Sequence, residues 1–369
     1  MCSEDFIFAS EYFLNASFAL FTQSIFTFIG IRADANTTIH KIIIKEFPKY
    51  KNIDRSVLAK INEVNKEQEI HLKLLVFFMS LAVPNLLFLE PFLEDLYDSK
   101  SIKIQNGDER LIMPMWSPDP ENLFVHYVIF SIQIFQPCIT SIVSLTGIFF
   151  FMNLSHSLIE QLRILNWSIS NLEKRAKSHY LSVIKNDKNN TKWTYMDSID
   201  LCLNENIAHL NILKRFKKGF QDVTSPTLFC VFTLATFFIA FTGYVILESE
   251  GHPGKLTFAV NVIIIEVYSL GFFNTFGQYV IDEVFHIDNI TFHIKQLLRQ
   301  QSEKLRHSVY GVDWYHLDKR CCKKLHILQT MCLEPMVLIV GGLLPLNMAS
   351  FQKVLNSSYS VVNMLMAFK

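Results

Sequence analysis

The chain has 369 residues, of which half are apolar and only 18% are charged, and its formal net charge at neutral pH is zero. The balanced charge argues against a nucleic-acid partner, and 33 phenylalanines indicate extensive apolar surface. No Gly-Ser linker, low-complexity tract or internal repeat divides the sequence. The composition predicts a single all-α integral membrane domain over residues 1–369.

Six apolar stretches are long enough to cross a bilayer as a helix, which takes about 20 residues. The first is interrupted by Glu11 and Asn15, and it lacks the basic leader and the cleavage site of a signal peptide. The last contains Pro345, which removes a backbone donor and predicts a broken final helix. The predicted spans are residues 7–31, 72–93, 124–152, 223–247, 256–280 and the bipartite 334–368.

Lysine and arginine are concentrated in alternate connections between these spans. The basic connections are 32–71, 153–222 and 280–333, whereas 94–123 and 248–255 are poor in basic residues. Because basic loops stay in the cytoplasm, this pattern predicts a plasma-membrane protein with an extracellular C-terminus.

Residues 155–165 and 201–216, both in basic connections, have the apolar spacing of helices. The first segment predicts that the third span continues as a helix into the cytosol, and the second predicts a cytosolic helix that leads into the fourth span. We therefore expect a helix bundle with cytoplasmic extensions at 7–280, a cytoplasmic anchor segment at 281–333 and a bipartite helix at 334–369, whose second part is a candidate pore-lining helix.

The sequence contains no P-loop, nucleophile elbow or zincin motif, so we expect no enzyme and no cofactor. Cys321, Cys322, His326 and Cys332 are irregularly spaced and contain no C-x-x-C pair, so reduced thiols are expected rather than a metal site. Asn261, near one end of a predicted span, could face a cavity or hydrogen-bond a neighbouring helix.

Several motifs occur in the order typical of one known family. His209-Leu-Asn-Ile-Leu precedes the fourth span, and Gly277-Gln278 lies at the inner end of the fifth. The remaining motifs are Pro114-Met-Trp116-Ser-Pro118-Asp119, Tyr127 with Gln133, the set Ser302, Leu305, Ser308, Tyr310 and Trp314-Tyr315, and the terminal set Pro335, Gly341, Pro345-Leu346-Asn347, Phe351, Val354 and Ser358-Tyr359-Ser360. With these motifs the chain resembles the insect odorant receptor family.

The resemblance implies an odorant-gated cation channel in the dendrites of olfactory sensory neurons. Members have seven helices and an extracellular C-terminus, and they assemble as heterotetramers with a shared co-receptor. Six spans are found here, so the family's first helix is expected to be missing. Residues 284–300 look like a helical insertion between Asp282-Glu283 and the motif that begins at Ser302.

The resemblance also implies which residues bind and gate. Met364 and Phe368 match gate-facing positions of the terminal helix, with Val361 and Ala367 beside them. A mostly apolar volatile is expected between the outer halves of the spans, where charge is scarce. The candidate ligand contacts are Tyr12, Phe13, Leu87, Phe88, Tyr127, Ser131, Ile134 and Asn261.

Three alternatives stay open. A gustatory-type channel subunit has the same architecture, although such receptors usually carry T-Y-x-x-x-x-x-Q-F where this chain has Ser358-Tyr359-Ser360. A transporter should show inverted repeats and a membrane enzyme convergent polar residues in its spans, and the sequence indicates neither. A truncated odorant receptor without function is the third.

Overall fold

The computed structural model describes residues 33–48, 50, 53–84, 88–89, 92–93, 123–186, 193–248, 253–304, 318–332 and 336–367. Within these residues the protein is a bundle of long α-helices, as predicted. A short π-helical segment, Ile42–Glu46, follows the first described helix. The helices are α1 Ala33–Lys41, α2 Arg55–Pro84, α3 Leu123–Ser170, α4 Leu172–Asn186, α5 Tyr195–Glu248, α6 Pro253–Lys304, α7 Lys319–Cys332 and α8 Met348–Ala367.

Three helices of the described part are long and apolar enough to cross a membrane: Tyr127–Ser170, Tyr195–Leu247 and Pro253–Asp282. They contain the predicted spans 124–152, 223–247 and 256–280 almost completely, and the protein is a membrane protein. The predicted span 7–31 lies outside the described residues. The predicted span 72–93 begins within α2, whose described part ends at Pro84.

The helices that cross the membrane extend well beyond it. α5 is 54 residues long, or about 80 Å at 1.5 Å per residue, whereas the hydrocarbon core is about 30 Å thick. Its charged residues all precede residue 223, apart from Glu248 at its end, so the segment 195–222 is the polar extension. The predicted helical continuations at 155–165 and 201–216 are confirmed, because both lie inside unbroken helices.

α6 is also continuous, from the membrane-spanning part through residues 284–300 to Lys304, so the expected insertion is helical. The sequence placed a boundary between the bundle and the anchor segment at residue 281. The helix crosses that position without a break, so the two regions are joined by one continuous helix.

The segment before α8 is a β-hairpin, which the sequence did not predict. Ile339–Val340 pairs antiparallel with Leu344–Pro345. The turn between them uses Gly341 and Gly342 at φ +60° and +72°, a conformation that suits glycine and closes tight hairpins. The prediction of a helix before Pro345 is therefore wrong for residues 336–345, whereas the predicted break at Pro345 is confirmed, and α8 begins three residues later.

The core of the bundle is formed by aliphatic and aromatic side chains of α2, α3, α5, α6 and the hairpin. Phe216, Phe220 and Phe276 are among its largest fully buried members. Phe151 of α3 stacks edge-on against Phe273 of α6, with ring centroids 4.9 Å apart. A second, smaller core joins α4, α5 and α7 around Ala176, Ile199 and Cys321.

Candidate functional site

An apolar groove lies between the end of α2 and the start of α6. Its volume is about 810 Å³, which is within the range of small-molecule sites. The groove is open rather than enclosed, and the described residues that line it are mostly aliphatic and aromatic. The lining residues are Leu81, Pro84, Phe88, Leu89, Phe92, Thr257, Val260, Asn261 and Ile264.

Two of the described residues that line the groove are polar, and both lie on α6. The hydroxyl of Thr257 donates a hydrogen bond to the carbonyl oxygen of Pro253 at 2.8 Å. Asn261 is partly buried and has no hydrogen-bond partner in the part of the chain that the structure describes. Its amide could therefore bind a ligand that has a single polar group on an apolar body.

The structure brings two of the predicted ligand contacts together and separates others. Phe88 and Asn261, far apart in sequence, line the same groove. Tyr127, Ser131 and Ile134 lie on the first turns of α3 and do not line it. The hydroxyl of Ser131 donates to the carbonyl oxygen of Tyr127 within that helix. Tyr12, Phe13 and Leu87 lie outside the described residues.

Below the groove, α2 and α6 are joined by aromatic and polar contacts. His71 Nδ1 and the hydroxyl of Tyr268 form a hydrogen bond of 2.5 Å. The Tyr268 ring also packs against Phe78, with centroids 6.1 Å apart. Further along the same two helices, the hydroxyl of Tyr279 donates to Glu67 at 3.3 Å. These contacts hold α2 against α6 on the inner side of the groove.

The same helix α6 contacts the hairpin and α8. A Cβ at Gly271 would lie 3.7 Å from the Phe351 ring, and the Thr275 hydroxyl contacts the sulfur of Met348 at 3.8 Å. A Cβ at Gly277 would meet the carbonyl oxygen of Leu346 at 2.1 Å. α6 therefore bears the groove at its start and supports the beginning of α8 further along.

The terminal helix α8 packs by one face and is exposed on the other. Ser350, Val354 and Ser358 are its buried residues, and they follow one another at intervals of four. Val361, seven residues after Val354, is partly buried on this packed side. Met364, at 51% exposure, and Ala367 are three residues apart on the exposed side. Phe368 lies outside the described residues.

A buried polar cluster, which the sequence did not predict, joins α3, α4, α5 and the segment before α2. The Arg175 guanidinium pairs with Glu205 at 2.5 Å, donates to the hydroxyl of Ser168 and lies 4.7 Å above the Tyr50 ring. Nearby, the Trp167 indole N–H donates to Asp54 at 2.9 Å. This cluster ties the polar extensions of the long helices to one another.

His209, part of one family-like motif, lies in this cluster and is only 1% exposed. Its ring contacts the Tyr50 hydroxyl at 3.2 Å and Gln161 Oε1 at 3.1 Å. A neutral ring satisfies both contacts if Nε2–H donates to Gln161 and Nδ1 accepts from Tyr50. Burial, with a smaller effect of the Arg175 charge, lowers the pKa of His209 to about 4. Its role is therefore structural, as a neutral hydrogen-bonding group.

The sequence analysis also missed Glu266, which lies near the middle of the membrane-spanning part of α6. It is the only Asp, Glu, Lys or Arg in residues 256–280, so the signal was present in the sequence. A carboxyl group at this depth is costly and usually functional.

Among the described residues there is no group of three or more metal-ligating side chains. Cys321 and Cys332 are buried within apolar cores, and Cys322 is exposed. Burial raises the pKa of the Cys321 thiol, which favours its uncharged form.

Comparison with known proteins identifies related folds. The family model described as 7tm odorant receptor matches residues 296–359. The structure of the insect olfactory receptor OR5 from Machilis hrabei in complex with eugenol has a TM-score of 0.71 to this chain and 11% sequence identity, covering 99% of this chain and 82% of that one. Another structure of the same receptor has a TM-score of 0.64 to this chain at 11% sequence identity, and the match covers 96% of this chain and 79% of that one. No curated protein sequence matches the chain.

Proposed function

We propose that this chain is a member of the insect odorant receptor family and the odorant-binding subunit of a heteromeric ligand-gated cation channel. The observation that supports this function best is the arrangement of α6. This helix lines the apolar groove with Thr257 and Asn261, and it contacts Leu346 and Phe351 at the start of the terminal helix. A ligand in the groove is thus in contact with the element that positions α8.

The ligand that fits the groove is a volatile molecule with an apolar body and one hydrogen-bonding group. The groove walls supply apolar contact from Leu81, Phe88 and Ile264, and the Asn261 amide supplies a donor and an acceptor. The related receptor from Machilis hrabei binds eugenol, a ligand that we would test first here.

Gating follows if the open channel binds the ligand more tightly than the closed channel, since only a difference in affinity can shift the equilibrium. A shift of α6 at the groove would move its contacts with Phe351 and Met348. α8 would then change the position of Met364 and its neighbours in a pore shared with the co-receptor. We assign Met364 and Phe368 to the gate and Val361 and Ala367 to positions beside it.

The proposed orientation places the extensions of α3, α5 and α6 in the cytoplasm and the C-terminus outside the cell. The basic residues of 153–222 and 280–333 support this topology. The proposed location is the plasma membrane of olfactory neuron dendrites. An epitope tag after Lys369 should be accessible to antibody on intact cells, and staining only after permeabilisation would contradict the topology.

The groove assignment is tested by concentration–response curves for Asn261→Leu in cells that also make the co-receptor. Loss of one neutral hydrogen bond, about 1 kcal/mol, should raise the half-activating concentration of an oxygenated odorant by roughly fivefold. The matched control is Ser131→Ala, because that hydroxyl bonds within its own helix and lies outside the groove. An unchanged Asn261→Leu response, or an equal loss in the control, would contradict the assignment.

A further inference from the structure

The terminal helix α8 contains a single charged residue. Lys353 is its only Asp, Glu, Lys or Arg over the range Met348–Ala367, and its side chain is exposed. It lies five residues after the first residue of the helix, so it is about 8 Å along the helix axis from the start of α8. A lysine at such a position in a membrane-spanning helix is costly unless its ammonium group reaches water.

Two contacts show how deep Lys353 lies. The ring of Phe351, two residues earlier, lies 3.7 Å from the position of a Cβ on Gly271, which is well inside the membrane-spanning part of α6. Val362, nine residues later, lies 3.4 Å from the position of a Cβ on Gly243, near the outer end of α5. Lys353 therefore lies inside the membrane-spanning part of the bundle, in the half nearer the start of α8.

On either side of its packed face, α8 has two flanks of opposite character. The residues of the packed face are Ser350, Val354 and Ser358. One flank is apolar, with helical spacings of seven, four, three and four, and consists of Met348, Leu355, Tyr359, Val362 and Met366. The other flank, the polar stripe, has helical spacings of three, four and three and consists of Lys353, Asn356, Ser360 and Asn363.

The polar stripe is exposed along its whole length, because all four of its residues are exposed. The Ser360 hydroxyl donates to the carbonyl oxygen of Asn356 at 2.9 Å within the helix. Exposed polar groups in a membrane span need water or protein around them, since hydrocarbon cannot satisfy them. The stripe ends beside Met364, which the proposed function assigns to the gate. Its position therefore suits the side of α8 that faces a water-filled conduit.

We propose that Lys353 is a specificity-determining residue of the pore, whose positive charge makes the conduit less permeable to divalent than to monovalent cations. The proposal rests on the channel function proposed above. A cation that passes about 7 Å from the Lys353 ammonium group in water is repelled twice as strongly when it carries two charges. The repulsion of the second charge lowers the occupancy of a divalent ion by about threefold relative to a monovalent ion.

The first test measures relative permeability in cells that make the full chain together with the co-receptor. The reversal potential of the odorant-evoked current is recorded with Na⁺ and then with Ca²⁺ as the main external cation. Lys353→Gln should raise the ratio of Ca²⁺ to Na⁺ permeability about threefold, and Lys353→Arg, which keeps the charge, should leave it unchanged. Lys323→Gln is the matched control, because it neutralises an exposed lysine on α7, outside the polar stripe.

Chemical restoration of the charge separates an electrostatic role of Lys353 from a structural one. Lys353→Cys should have the same permeability ratio as Lys353→Gln before treatment. A methanethiosulfonate reagent that attaches a trimethylammonium group to the thiol should restore the wild-type ratio, whereas methyl methanethiosulfonate, which attaches an uncharged group, should not. Because Cys322 is exposed, the wild-type chain treated with each reagent is the control.

A second test of the polar stripe does not need a current. Residues 359 and 360 are adjacent and exposed, but Tyr359 belongs to the apolar flank and Ser360 to the polar stripe. In membranes open to the trimethylammonium reagent from both sides, the thiol of Ser360→Cys should react at least about tenfold faster than that of Tyr359→Cys. The reason is that the reactive thiolate forms only in contact with water. Mass spectrometry of the modified peptide measures the two rates.

Equal reaction rates at the two positions would overturn the proposal, because the stripe would then not face water. An unchanged permeability ratio in Lys353→Gln, or a charged reagent that has no effect on Lys353→Cys, would overturn it and leave the odorant-gated current, and thus the proposed function, intact. A wild-type complex without chain-dependent current would instead contradict the channel function itself, and the role of Lys353 with it.

Discussion

The carbonyl oxygen of Leu346 lies so close to Gly277 that a Cβ at position 277 would come within 2.1 Å of it. The contact joins the hairpin to α6 through two backbones, and neither can yield as a flexible side chain would. A few residues away, the backbone N–H of Gly341 donates to the hydroxyl of Ser225 at 2.8 Å. The hairpin is thus held against both α5 and α6 immediately before α8 begins.

Gly277→Ala should therefore destabilise the protein and displace the hairpin. Overpacking of this kind typically costs about 1–3 kcal/mol, and we expect a lower melting temperature in detergent and less surface protein. The matched control is Gly271→Ala, whose Cβ would meet the Phe351 ring at an ordinary 3.7 Å. Because alanine favours helix, the control should be neutral or slightly stabilising. Equal effects of the two variants would contradict the backbone contact.

Asn347→Ala should weaken the start of the terminal helix. The Asn347 side chain accepts a hydrogen bond from the Ser350 N–H at 2.9 Å, an N-cap that satisfies a backbone donor. Its loss should cost about 1 kcal/mol and increase hydrogen exchange in the first turn of α8. Ser360→Ala is the control, because its hydroxyl only bonds the carbonyl of Asn356 on an exposed face. Unchanged exchange at Ser350 and Phe351 would argue against the cap.

The hydrogen bond between His71 and Tyr268 should contribute measurably to holding α2 against α6. Tyr268→Phe removes the hydroxyl and keeps the ring, so the unfolding free energy should fall by about 0.5–1.5 kcal/mol. A double-mutant cycle with His71→Phe isolates the pair. Strictly additive losses in the cycle would show that the two groups do not interact.

Acidification should destabilise the polar cluster through His209. Its folded pKa of about 4 lies below the unfolded value of about 6.5, so the folded state binds fewer protons between these values. The free energy of unfolding should be fully retained above about pH 6.5 and fall as pH decreases toward 4, by up to about 3 kcal/mol.

His209→Gln should flatten this pH dependence, although it lowers stability at neutral pH through lost contacts with Tyr50 and Gln161. The measurement is the melting temperature in detergent between pH 7.5 and 4.5. His326→Gln is the control, because His326 is exposed on α7. A slope in His209→Gln as steep as that of the wild type would assign the effect to other groups.

The helices were predictable because their signals are local. Long apolar runs and charged extensions with helical spacing indicated α3, α5 and the first half of α6, and Pro345 indicated a break. The hairpin before α8 was missed because its residues are apolar enough to be included in a span. Its glycine pair at 341–342 was the available signal, and two adjacent positive-φ residues form a turn rather than a helix.

The site was only partly predictable because its residues are distant in the chain. Phe88 and Asn261 were each chosen from a single span, and their shared groove depends on the packing of α2 against α6. The Arg175 cluster depends on three helices meeting, which no local pattern reveals. Glu266 was different, because one carboxyl group in an uncharged span is visible in the sequence alone.

The most direct test of the central claim is the whole-cell current evoked by an odorant panel that includes eugenol. The recordings compare cells making this chain with the co-receptor and cells making the co-receptor alone, after surface expression is verified. We expect an inward cation current that requires this chain and weakens in Asn261→Leu. A surface-expressed complex that gives no chain-dependent current to any odorant of the panel would contradict the proposed channel function.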